Sequence, residues 1–129
     1  DSAYSVIYFT AAGLFDILAE NTFGKRQDKD SDVFEHIYDC DLLIIDDLGT
    51  ELPNSFTVSQ LFICLNERIL RQKSTIISTN LALEDIKSIY SERTFSRISS
   101  NYTILRITGD DIRIQKKLLN LGGTNDVTP

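Results

Sequence analysis

A chain of 129 residues, 42% hydrophobic and 25% charged, has the size and composition of one globular domain and excludes disordered, collagen-like and disulfide-dense classes. Its formal net charge of -6, with basic residues scattered along the chain, excludes an autonomous nucleic-acid-binding domain, so any DNA contact has to be local. Cys40 and Cys64 lack CxxC or histidine spacing, and the single His36 completes no zinc site with them, so both are expected as reduced core thiols.

Tyr4 to Thr10 (YSVIYFT) is rich in β-branched and aromatic residues and predicts a strand, with Thr10 placed to cap the helix that follows. In that helix Leu14, Ile17 and Leu18 share one stripe, and Gly24 marks its end. Gly24 to Asp32 (GKRQDKDSD) has too little apolar content to pack and reads as a solvated loop; Val33, Phe34, Ile37 and Tyr38 then form a short amphipathic turn. Asp41 to Asp47 (DLLIIDD) holds four consecutive apolar residues, the pattern of a parallel strand buried on both faces.

After Pro53, Val58, Leu61, Leu65 and Ile69 recur at helical spacing and predict a helix from about Ser55 to Gln72. Ser74 to Asn80 (STIISTN) is the next strand. Leu83, Ile86 and Tyr90 mark another helix, which begins at Ala82 without the Ser or Thr cap that would pair with Asp85. Ser91 is placed to cap a short helix carrying Phe95 and Ile98. Tyr102 to Thr108 predicts a final strand, Ile112 to Leu121 a final helix, and residues 122–129 a flexible tail. Strands alternating with helices give an α/β fold with a mainly parallel sheet, functional residues falling at the carboxyl ends of the strands. No run approaches the roughly 20 apolar residues of a membrane helix and no signal peptide is visible at Asp1, so a cytoplasmic setting is expected.

Three segments carry chemistry. Leu42 to Glu51 (LLIIDDLGTE) sets two adjacent carboxylates at the end of an apolar strand, where they require a cation, hydrogen-bond donors or solvent. Mg²⁺ meets that requirement, because it keeps several waters and is held by one or two carboxylates plus phosphate oxygens. On that reading Asp46 holds the metal, directly or through water, and Asp47 or Glu51 polarises an attacking water; the plain alternative is a strand that exits into a polar turn at Gly49. Asn80, ending STIISTN, is either a sensor of the terminal phosphate or a simple turn former. Arg93 and Arg97 in SERTFSRI lie four apart and are neighbours on a helix surface, suited either to phosphate recognition or to ordinary salt bridging with Glu92.

In this order, together with Asn66 to Ile69 (NERI) and Gly109 to Arg113 (GDDIR), these segments resemble the AAA+ module of the DnaC, DnaI and IstB group of helicase loaders and transposition helper ATPases, over roughly Tyr4 to Leu119. The resemblance implies a P-loop NTPase core in which Asp46 and Asp47 are the Walker B pair that holds Mg²⁺, Asn80 is sensor 1, Arg97 is the arginine finger with Arg93 as companion, and Arg113 is a weaker contact to nucleotide or a neighbouring subunit. ATP and Mg²⁺ are the implied cofactors. The implied partners are a replicative helicase, single-stranded DNA and further copies of the chain. In relatives the helical insertion after the second strand can contact single-stranded DNA, here Ala11 to Tyr38 with Lys25, Arg26 and Lys29, although Asp28, Asp30 and Asp32 share that loop.

One part of the pattern is missing. The sequence contains no GxxxxGK[ST], so the backbone N–H groups and lysine that cradle phosphates are absent. The chain therefore reads as residues 1–121 of a partial AAA+ domain beginning at its second strand, followed by the tail. The family order 5-1-4-3-2 would leave either a gap or a new pairing of STIISTN with YTILRIT. ATPase activity of the isolated chain is expected to be negligible. The functional expectation is an ATP-dependent loader of the replicative helicase; the alternatives are an IstB-like transposition helper and a degenerate interaction module.

Overall fold

The computed structural model describes residues 3–23, 30–107 and 127–128. It divides into two units, Asp1–Ile98 and Ser99–Pro129. The first runs β1 (Val6–Thr10), α1 (Ala11–Phe23), α2 (Asp30–Asp39), β2 (Leu42–Leu48), α3 (Ser55–Leu70), β3 (Ser74–Thr79), α4 (Leu83–Tyr90) and α5 (Glu92–Asn101), whose last turn passes into the second. The fold is α/β, with a parallel sheet in the order β1-β2-β3 flanked by helices.

Local chemistry sets most boundaries. Thr10 Oγ1 accepts the Gly13 N–H at 3.1 Å and opens α1. Asn54 and Thr57 exchange side-chain and backbone hydrogen bonds of 2.9 Å each at the start of α3, satisfying two groups that a bare helix end leaves without partners. Ala82 has no side chain to offer, but the Asp85 carboxylate reaches back to its N–H at 3.2 Å, so half of the box survives. Ser91 caps α5 as expected, accepting the Thr94 N–H.

Topology settles the layering. Both crossovers step across the sheet in one direction, and right-handed connections of that kind put their helices on one face. Accordingly α1 packs on β1 and β2, and α3 packs on β3 and α1. Leu43 and Ile45 face this layer and are fully buried, together with Leu14, Leu18, Leu61 and Leu65. The opposite face of the sheet is open: Val6 is 57%, Tyr8 56% and Ile76 53% exposed. This corrects the expectation of a central strand buried on both faces, because four apolar residues in a row do not reveal which side the crossovers cover.

Two further differences concern α2 and the carboxyl end. The helix begins at Asp30 rather than in a turn at Val33, and it is held by packing of Ile37, 2% exposed, rather than by composition. In the second unit β4 (Arg106–Ile107) pairs antiparallel with β5 (Val127–Thr128), so this part of the tail is extended and paired. Among the described residues β3 pairs with β2 alone. The predicted helix Ile112–Leu121, Arg113, and Lys25, Arg26 and Lys29 lie outside the described residues.

Arg68, of the NERI segment, is completely buried. Its guanidinium donates to Thr75 Oγ1 at 2.8 Å, the Ile37 carbonyl at 2.8 Å, the Ser74 carbonyl at 2.6 Å and Cys40 Sγ at 3.3 Å. One side chain thus joins α3, the end of α2 and the start of β3. Cys40 and Cys64 are both free and buried, and burial pushes the Cys64 thiol up to about 12. No described helix is long and apolar enough to cross a membrane.

Candidate functional site

The register of the parallel sheet assembles the site. Thr10 lies opposite Asp46 on one side of β2, and Leu48 lies opposite Thr79 on the other, with an irregularity between Ile45 and Leu48. Asp46, Asp47 and Asn80 therefore come to the same carboxyl end of neighbouring strands, where ligands of open α/β sheets bind. The irregularity has a visible cause, since Asp47 adopts a φ of 58°, a left-handed conformation that Asp tolerates better than bulkier residues.

Asp46 is held from both sides. Its Oδ2 accepts the Tyr8 hydroxyl at 2.6 Å and its Oδ1 accepts the Ser78 hydroxyl. Ser78 Oγ in turn accepts the Asp47 backbone N–H at 2.9 Å. These donors, that of Ser78 first and Tyr8 second, hold the Asp46 carboxyl below its ordinary value. The same bond to Asp46 raises the Tyr8 phenol. Asp46 is thus an ionised carboxylate whose partners are neutral hydroxyls. The Asp47 and Asn80 side chains point to solvent and have no hydrogen-bond partner among the described residues.

Glu51 is placed differently. Its Oε2 accepts the Gly49 N–H at 3.0 Å, closing the turn after β2, and its Oε1 accepts the hydroxyl of the fully buried Tyr90. Burial first, and the bond to Glu51 second, push the Tyr90 phenol up. Gly49 has a φ of 107°, and a Cβ there would lie 2.6 Å from Leu81 Cδ1. The turn after β2 is thereby pressed against the turn after β3, with Thr79 Oγ1 donating to the Leu48 carbonyl at 2.6 Å.

The arginines sit on α5 against α3. Arg93 lies 4.1 Å and Arg97 5.6 Å from the Phe62 ring centroid, and Arg97 Nε donates to Asn66 Oδ1 at 3.0 Å. Sequence reasoning missed Tyr8, Ser78 and Tyr90. Strand alternation puts Ser78 on the face of Ile76 and Tyr8 on that of Thr10, but only the register brings either to Asp46. Nothing local marks Tyr90 as a partner of Glu51.

The donor set fits a hydrated cation in one specific way. Among the described residues no group of three or more His, Cys, Asp or Glu could hold a metal by itself. An ionised Asp46 beside a solvent-facing Asp47 suits Mg²⁺, which completes its shell with water and phosphate oxygens.

The comparisons with known proteins bear on the family and the fold. The family model described as IstB-like ATP binding protein matches residues 2–120. The chain belongs to that family. Its fold is similar to that of the DnaC helicase loader crystal structure, with a TM-score of 0.66 and 22% identity over 75% of this chain and 58% of that one. It is also similar to AMPPCP-bound DnaA from Aquifex aeolicus, with a TM-score of 0.67 and 22% identity over 92% of this chain and 37% of that one. The IstB-like chain therefore spans less than two thirds of either of these structures. No curated protein matches it significantly. The AAA+ core of a P-loop NTPase is thus the architecture of this IstB-like chain, with its three described parallel strands as part of the sheet.

Proposed function

We propose that this IstB-like chain is the acid- and arginine-bearing part of an ATP-hydrolysing subunit that acts as an oligomer on a DNA-processing partner, the replicative helicase. The observation that carries the reading is the ionised Asp46 held by two neutral hydroxyls, with Asp47 and Asn80 at the same strand tips. As the Walker B pair, Asp46 would hold Mg²⁺ through water and Asp47 would accept a hydrogen bond from the attacking water. The cation, when bound, neutralises charge that develops on the transferred phosphoryl group. Asn80 would bond the terminal phosphate or that water, as sensor 1. Arg97, with Arg93 beside it, would reach the nucleotide of a neighbouring copy, and Arg113 would be a further contact to nucleotide or to that subunit.

Without a GxxxxGK[ST] segment the 129-residue chain should hydrolyse ATP at background level. Extended at its amino end by a fused strand and GxxxxGK[ST] loop, it should show Mg²⁺-dependent turnover that falls about 100-fold or more in Asp47→Asn. Turnover by the 129-residue chain alone that Asp47→Asn abolishes would refute the expectation that it is inactive without the loop, and turnover by the extended chain that survives Asp47→Asn would refute the role of Asp47.

The second reading is a helper ATPase acting on a transposase, favoured by the IstB-like family model. The two separate by capture: purified replicative helicase and purified transposase are offered to the immobilised protein with ATP, and the one retained names the function. Retention of neither, together with absence of turnover in the extended chain, would leave a non-catalytic interaction module.

A further inference from the structure

The turn Asp47 to Glu51 ends next to α4, and α4 ends at Tyr90, one residue before the cap of α5. A fully buried phenol needs a partner for its hydroxyl, and here the partners are the Glu51 carboxylate and the Gly49 backbone N–H. Glu51 spends its other oxygen on Gly49 N–H at 3.0 Å. Thr50 closes the same turn, its hydroxyl donating to the Asp47 carbonyl at 2.9 Å. Tyr90, Glu51, Gly49 and Asp47 are therefore linked without a break.

The other end of the linkage is equally fixed. Ser91 has a φ of 119°, so the corner between α4 and α5 is sharp. Lys87 lies 3.6 Å from Glu92 and 5.7 Å from the Phe95 ring centroid, bracing the corner from outside. Beyond it come Arg93 and Arg97, stacked on Phe62.

We infer that Glu51 and Tyr90 are positioning residues: they form a strut through which α5, with its two arginines, sets the place of Asp47. Glu51 on this account does not polarise water itself. A neighbouring subunit that engages Arg97 would shift α5, and the strut would carry the shift to the acid turn. The inference rests on the roles proposed above for Asp47 and Arg97, but its test uses no nucleotide.

Amide spectra of the 129-residue chain provide that test. Arg97→Ala should move the Asp47 and Gly49 amide resonances in the otherwise native chain. In a Tyr90→Phe background the same substitution should move them at least about threefold less, the sign of a coupled pair in a double-mutant cycle. Tyr90→Phe alone should speed hydrogen exchange at Gly49 about tenfold, through loss of support for the bond to Glu51. Glu51→Ala, which leaves the buried ring in place, should reproduce the decoupling and serves where Tyr90→Phe does not fold. An equal response of Asp47 to Arg97→Ala in all backgrounds, or no response in the native chain, would overturn the strut. Either result leaves the hydrolysis experiment to judge the proposed function separately.

Discussion

The two faces of the central sheet are made of similar residues and behave differently. One carries Leu43 and Ile45 under α1 and α3 and is dry; the other carries Val6, Tyr8, Ile44 and Ile76 and is open to solvent. The dry face holds the fold together, and the open face ends in Asp46, Tyr8 and Ser78. Stability and chemistry are thus divided across a single strand by the alternation of its side chains. A carboxylate on the dry face would have to be neutralised or paired, whereas on the open face it stays ionised with hydroxyl donors alone.

This division can be broken from either side. The largest effect is expected for Arg68→Ala, which leaves two carbonyls, a hydroxyl and a cavity beneath β3 and should cost on the order of 4 kcal/mol in urea unfolding. Leu43→Ala, on the dry face, should cost about 3 kcal/mol in the same measurement. Loss of the α3 cap in Asn54→Ala should cost about 1 kcal/mol. Ile76→Thr, on the open face, should stay within about 0.5 kcal/mol. A cost for Ile76→Thr that equals that for Leu43→Ala would show that the open face is covered in solution.

The weakest effect is one of pH. The Asp46 carboxyl lies below its ordinary 3.8 in the folded chain. The folded state therefore binds its proton less readily than the unfolded state, and the stabilisation is present above the ordinary value and lost as pH falls through the lowered one. Urea midpoints measured between about pH 5 and pH 2 should fall less steeply in Asp46→Ala than in the native chain. Equal slopes would mean that Tyr8 and Ser78 do not hold the carboxylate in solution.

Much of the candidate site was legible in the chain. LLIIDD announces a strand that ends in two acids, STIISTN a strand that ends in a polar pair, and the register does bring them to one end of the sheet. The partners of those residues were not legible. Glu51 has the same charge as Asp47 and lies four residues away, yet it turns to Gly49 and Tyr90 while Asp47 faces solvent. No periodicity separates them, because the difference comes from the left-handed turn at Asp47 and from a phenol 39 positions further along.

The sequence by itself determined most of the described elements, their order and the residue types at the strand tips, because periodicity, caps and turn formers act over a few residues. Only the tertiary structure decided which face of β2 is dry, that Arg68 rather than an apolar residue joins α2, α3 and β3, and which acid is braced and which is left to solvent. Those outcomes depend on the hand of two crossovers and on contacts between residues some 30 to 40 positions apart, and no local pattern encodes them.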